Sequence, residues 1–261
     1  MLSKVIRVME VDDALVMSGH DIGRQQDALG QILGFRLRFI QSGIMKTPEL
    51  SVFEAQKEIG SFGERIHRMF SMVNELLDTQ DAKTFDKLYE RIEKYEGISD
   101  NMEIEIAKYL DQVSDAHLSD DTKAKIRSML RAISEIESIG DSCYNLARTI
   151  KRKGENKEEF TAKQNENIHQ MFKLVDESLT QMNYMFAHDR QTINMNHTYN
   201  IETEINNFRT QLRNQNLDDV DNHLYTYGVG TLYMDIIQEC EKLGDYVVNV
   251  AEARMGTRAS A

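Results

Sequence analysis

An all-α protein of two tandem antiparallel three-helix bundles with an N-terminal arm is what this sequence predicts, and three observations carry that prediction. From residue 51 onward apolar residues step by three and four, the spacing of one helix face. One proline and no tryptophan occur in 261 residues, so little interrupts long helices. Finally, a segment occurs twice, 104 residues apart: Glu135–Ala147 and Glu239–Ala251. The copies agree at six positions: Glu135/Glu239, Glu137/Glu241, Gly140/Gly244, Asp141/Asp245, Asn145/Asn249 and Ala147/Ala251. Identity over such a stretch marks a duplicated folding unit.

Residues 1–46 form the arm. Residues 1–17 are amphipathic, with Lys4 and Arg7 among Leu2, Val5 and Ile6, and residues 34–40 alternate Phe35, Leu37 and Phe39 against Arg36 and Arg38, a short extended segment. The arm is expected to pack on the bundle or to be the stub of something upstream. The first unit spans 47–153. Its first helix carries the seam Val52, Ala55, Ile59, Phe62, Ile66, Met69, Val73 and Leu76, opened by a Ser51/Glu54 capping box. A second helix carries Phe85, Leu88, Ile92, Tyr95, Ser99, Met102, Ile106 and Tyr109; a third carries Met129, Ile133, Ile136, Gly140, Cys143, Ala147 and Ile150. Lys153–Asn156 reads as a linker. The second unit, 154–261, repeats the plan through Ile168–Phe186, Ile201–Leu212 and Tyr233–Ala251, with turns at His188–Arg190 and Leu217–Asp219.

Composition narrows the function. A net charge of -12 argues against nucleic acid, whose phosphates need a basic face. Cys143 and Cys240 both fall on apolar seam positions, where a thiol serves as a small hydrophobe, and no disulfide framework is implied. No Gly-rich phosphate loop, Ser-His-Asp set or Cys-His zinc pattern is present.

The candidate site lies beside the seams. Glu96 and Asp100, Glu137 and Asp141, Glu202 and Asn206, Glu241 and Asp245 are each four residues apart, and all eight follow a seam residue by one. In each unit the second and third helices are neighbours, so their acidic pairs can face each other. Like charges so placed destabilise a helix and raise one another's pKa, and a captured cation relieves both effects. Oxygen ligands on a rigid helical frame suit iron, manganese, magnesium or zinc. The bare Glu-x-x-x-Asp spacing arises about twice by chance at this composition, so the weight rests on its recurrence at matching positions beside a glycine.

Two other readings stay open. Glu64-x-x-His67 and Glu166-x-x-His169 are the pattern of a di-iron carboxylate enzyme in a helix bundle. They lie 102 residues apart, outside the 106-residue register of the acidic pairs on the second and fifth helices. A metal-free helical adaptor would show the same seams with solvated acids.

The segments Glu137-Ser138-Ile139-Gly140-Asp141 and Glu241-Lys242-Leu243-Gly244-Asp245, each followed by an Asn four residues on, resemble the PhoU family over roughly residues 51–254. The resemblance implies a PhoU-like fold of paired three-helix bundles that regulates phosphate uptake. It also implies metal ligation by Glu137, Asp141, Glu241 and Asp245 with Glu96, Asp100 and Glu202 of the partner helices; Asn206 departs from the usual acidic residue. Arg36–Ser51 further resembles the junction of bacterial sodium–phosphate cotransporters, where a membrane transporter precedes a PhoU-like tail. That resemblance implies a cytoplasmic domain at the bacterial inner membrane, with a phosphate transporter in the same full-length chain as partner. Cation-bridged acidic faces could also support a homodimer.

Overall fold

A computed structural model describes residues 37–40 and 47–256. Six helices follow one another: α1 Pro48–Asp78, α2 Ala82–Ser114, α3 Asp120–Glu155, α4 Ala162–Ala187, α5 Met195–Asp221 and α6 Tyr227–Met255, with a 3-10 turn at Arg190–Thr192 between α4 and α5. Helices α1–α3 pack on one another as one bundle and α4–α6 as a second. The bundles join through α3 against α6, the most extensive contact, and α1 against α4. The two helices bearing the duplicated segment therefore form the spine of the molecule.

Local chemistry explains the boundaries. Asp81, Ser119, Thr161 and Thr226 cap α2, α3, α4 and α6 by accepting from backbone N–H groups of the first turn, and Thr161 with Gln164 completes a capping box. The Ser51/Glu54 box does not form. Pro48, whose missing N–H costs nothing in a first turn, starts α1 three residues earlier, and Ser51 is buried inside it. The linker reading at Lys153–Asn156 also changes: α3 runs through Glu155, and Lys157 takes the positive φ that turns the chain. Leu217–Asp219 is helical as well. Helix α5 continues to Asp221 and the turn comes at His223, again at positive φ.

The seams form the core. Ile59, Phe62, Ile66, Ile92, Met102, Ile136, Phe172, Leu179, Ile205 and Ile237 are all buried, as are the free thiols of Cys143 and Cys240. Of the arm, residues 37–40 lie against α1. Leu37 is buried, and the fully buried Glu58 accepts hydrogen bonds from the backbone N–H groups of Arg38 (2.8 Å) and Phe39 (2.6 Å). The amphipathic 1–17 segment and residues 41–46 lie outside the described residues.

The inner-membrane, cotransporter-tail assignment needs correction. Among the described residues no helix is long and apolar enough to cross a membrane. Charged residues interrupt the apolar positions of every helix, so none presents the continuous apolar run that a membrane span needs.

Candidate metal centre

The eight seam residues that precede the candidate acids (Tyr95, Ser99, Ile136, Gly140, Ile201, Ile205, Cys240 and Gly244) are all buried. Their successors are consequently held at the rim of the core: six are half-buried, and Asp141 and Asp245 are exposed. Two glycines bring the helices together. A Cβ on Gly140 would lie 2.8 Å from Ser99 Oγ and 3.1 Å from Ile66 Cδ1, and one on Gly244 would lie 3.1 Å from Ile205 Cδ1. Close approach of α3 to α2 is thus bought by the missing side chain, and it sets Asp141 opposite Glu96 and Asp100.

In the first unit the acids converge. One carboxylate oxygen from each of Glu96, Asp100 and Asp141 lies within 4.8 Å of the others, close enough to share a cation. Burial pushes the pKa of Glu96, Asp100 and Asp141 above the usual range, and neighbouring carboxylates add to it. Glu137 stands outside the group of three but is coupled to it. Burial, then Asp141, Glu103 and Asp100, push it up to about 7. The principal influences on these four carboxyls are burial, one another, the neighbouring carboxylates Glu93, Glu103 and Glu239, and hydrogen bonds, with no lysine or arginine among them. Asp100 Oδ1 is buried without a hydrogen-bond partner. The donor set is all oxygen, which suits a hard ion such as magnesium, manganese or iron better than zinc, whose usual sites draw on nitrogen and sulfur.

The second unit resolves the same crowding differently. Arg209 Nη2 lies 2.7 Å from Glu241 Oε1, and Asn206 donates from Nδ2 to Glu202 Oε1. Asp245 is raised by burial, Glu241 and Glu202, and Arg209 pulls it back. Residues of α2 and α5 correspond at an offset of 106, so Asn206 stands for Asp100 and Arg209 for Glu103. The two exchanges turn a five-carboxylate groove into one with three carboxylates, an amide and an internal cation. The structure thus brings Glu96, Asp100 and Asp141 together with Glu137 beside them, and in the second unit sets Glu241 and Asp245 beside Arg209 and pairs Glu202 with Asn206.

The remaining identities of the repeat serve the spine. Asn145 and Asn249, four residues beyond Asp141 and Asp245, reach across the bundle interface. Asn145 donates to Glu239 (3.4 Å), which also accepts from Ser142 (2.8 Å), and Asn249 donates to Glu135 (3.0 Å). The first Glu of each copy meets the Asn of the other, a reciprocal contact that an internal two-fold generates. Asn145 and Asn249 each lie four residues beyond the Asp of the acidic pair, about 40° around the helix from it, and spacing alone does not show that they reach across to the other copy. The His residues of the di-iron pattern are engaged elsewhere. His67 Nε2 is 2.7 Å from Asp176 and His169 Nε2 is 3.1 Å from Asp78, bridging α1 and α4 at the surface. No histidine joins the acidic group among the described residues.

Fold and groove together define a class: tandem three-helix bundles with acidic pairs between the second and third helix. Within that class, residues 59–150 match the PhoU domain. The fold is similar to that of the phosphate transport system regulatory protein PhoU from Streptococcus pneumoniae (TM-score 0.66, 19% identity, covering 80% of this chain and 95% of that one). It is also similar to PhoU from Pseudomonas aeruginosa (TM-score 0.71, 13% identity, covering 80% and 97%). A search of curated proteins gave no match. The domain match falls on the unit that holds the converged acids.

Proposed function

We propose that this chain is a cytoplasmic, PhoU-like regulator of phosphate uptake, not a catalyst, and that it takes a hard metal ion in one groove rather than two. The observation that carries the metal assignment is the convergence of Glu96, Asp100 and Asp141, whose raised pKa values trace to burial and neighbouring carboxylates. A cation there would cancel repulsion across α2 and α3 and fix their separation, with Glu137 as a fourth carboxylate within reach of its field. In the second unit Arg209 and Asn206 do this in place of a metal. The regulatory part rests on the resemblance to PhoU, and on a metal-dependent α2–α3 spacing as a state that a membrane phosphate transporter could read. Buried free thiols fit a reducing compartment.

Metal analysis of protein loaded with manganese or iron and then dialysed tests the reading. The expected stoichiometry falls to background in Glu96→Gln/Asp100→Asn/Asp141→Asn and is unchanged in Glu241→Gln/Asp245→Asn. Equal retention by the first variant removes the ligand assignment; equal loss in the second removes the asymmetry.

A further inference from the structure

A second site lies at the junction of the bundles. A cavity of about 310 Å³ opens between α1, the start of α3 and the ends of α4 and α6, lined among others by Gln56, Ile59, Met129, Phe186, Arg190 and Arg254. Its size sits at the lower end of the range for small organic ligands. One wall is apolar, from Ile59, Met129 and Phe186; the other carries two guanidinium groups.

Among the described residues neither group has an ion pair. Arg254 makes one hydrogen bond, to the carbonyl of His188 at 3.4 Å, and its Nε is buried with no partner. Arg190 has no ion pair among the described residues. It is close enough to repel Arg254, and Asp189 offsets this only through space. Lys125 and Asp121 also line the cavity and offset each other as an ion pair at 2.7 Å. The C-terminus of α6 favours cations, but its partial charge is roughly half an electron against two guanidinium groups. Gly256 makes room for the arrangement: it sits at φ 70, and a Cβ there would lie 2.7 Å from Arg190 Nη2.

We propose that this cavity binds a small organic phosphomonoester, its phosphate on Arg190 and Arg254 and its organic body against Ile59, Met129 and Phe186. A phosphomonoester carries about -1.5 to -2 at neutral pH, which matches two guanidinium groups; a carboxylate does not. Inorganic phosphate supplies the charge but leaves the apolar wall uncovered.

Isothermal titration of the full chain tests this with AMP, UMP and glucose 6-phosphate, set against adenosine, uridine, glucose and inorganic phosphate. At least one phosphomonoester should bind one-to-one, roughly tenfold or more tighter than inorganic phosphate and than its own dephosphorylated body. Arg190→Gln and Arg254→Gln should each weaken it about tenfold or more, with helix content and melting unchanged, while Asp141→Asn leaves it intact. No binding of any of the three up to millimolar concentration overturns the proposal. So does binding that survives in both arginine variants, or inorganic phosphate binding as tightly as the esters. Because the metal groove is a separate site, metal stoichiometry should be the same in both arginine variants.

Discussion

Neutralising Glu137 should stabilise the metal-free protein at alkaline pH and leave it unchanged at acid pH. Its carboxyl is pushed from 4.5 up to about 7 in the folded chain, first by burial and then by Asp141, Glu103 and Asp100. A folded state that resists ionisation binds more protons than the unfolded state between those values. Stability therefore falls as pH rises from about 4.5 to about 7, and the full penalty stands above that window. The gap corresponds to roughly 3 kcal/mol at about 1.4 kcal/mol per pH unit; partial solvent contact reduces this to ~1–2 kcal/mol. For a chain of this size that is roughly 2–6 °C in Tm.

Thermal melts of Glu137→Gln against the parent, followed by circular dichroism in excess chelator, give the readout. The expected Tm rise is present at pH 8 and absent at pH 4.5. Saturating manganese should reverse the order at pH 8, because a cation favours the ionised carboxylate that Gln cannot supply. A variant that melts lower than the parent at pH 8 without metal, or gains equally at both pH values, refutes the reasoning.

Converting the second groove to the first, Asn206→Asp with Arg209→Glu, should add a metal site and raise the bound stoichiometry measured by elemental analysis. Arg209→Gln alone should cost ~1–2 kcal/mol in chemical denaturation, since it leaves Glu241 half-buried without its cation. Gly140→Ala should destabilise by about 1 kcal/mol or more despite its better helix propensity, because its Cβ meets Ser99 and Ile66; Ser99→Gly in the same chain should restore most of the loss. Glu58→Ala removes the acceptor for the backbone of Arg38 and Phe39, and limited proteolysis should then cut the arm near residue 38 faster while the bundle resists.

The fold was legible because seams repeat every turn. Ile92, Tyr95, Ser99, Met102 and Ile106 lie on one stripe whatever their neighbours do, and all five are buried. Helix ends were less legible, since each depends on a few competing local bonds. Ser51 and Glu54 have the letters of a cap, but Pro48 had already begun the helix. Asp218 and Asp219 have turn-forming side chains, yet in α5 Asp219 accepts from the hydroxyl of Tyr225, six residues on, a contact that only the folded chain makes. Spacing placed the acids at the rim of the core, but it could not say which oxygens meet. Glu137 and Asp141 share a face of α3, and it is the distance across to α2, set by Gly140, that gathers Asp141 with Glu96 and Asp100.

The two grooves also show how a duplicated scaffold can keep its geometry while changing its chemistry. The reciprocal Glu–Asn contacts of the spine use residues from both copies, so a change at Glu135, Asn145, Glu239 or Asn249 alters a contact with the other helix. Both copies are held to that pattern. The acidic pairs carry no such obligation, because each groove balances its charge within its own unit. Asp100 to Asn206 removes one negative charge, and Glu103 to Arg209 adds a positive one in place of another. The helix backbones need not move, since Gly244 keeps α6 close to α5 as Gly140 keeps α3 close to α2. Repulsion that one unit leaves for a cation from solution is thereby cancelled in the other by a cation built into the chain. On the proposed reading, a metal-driven change in helix spacing would be confined to the first bundle, since the second groove already holds its own cation.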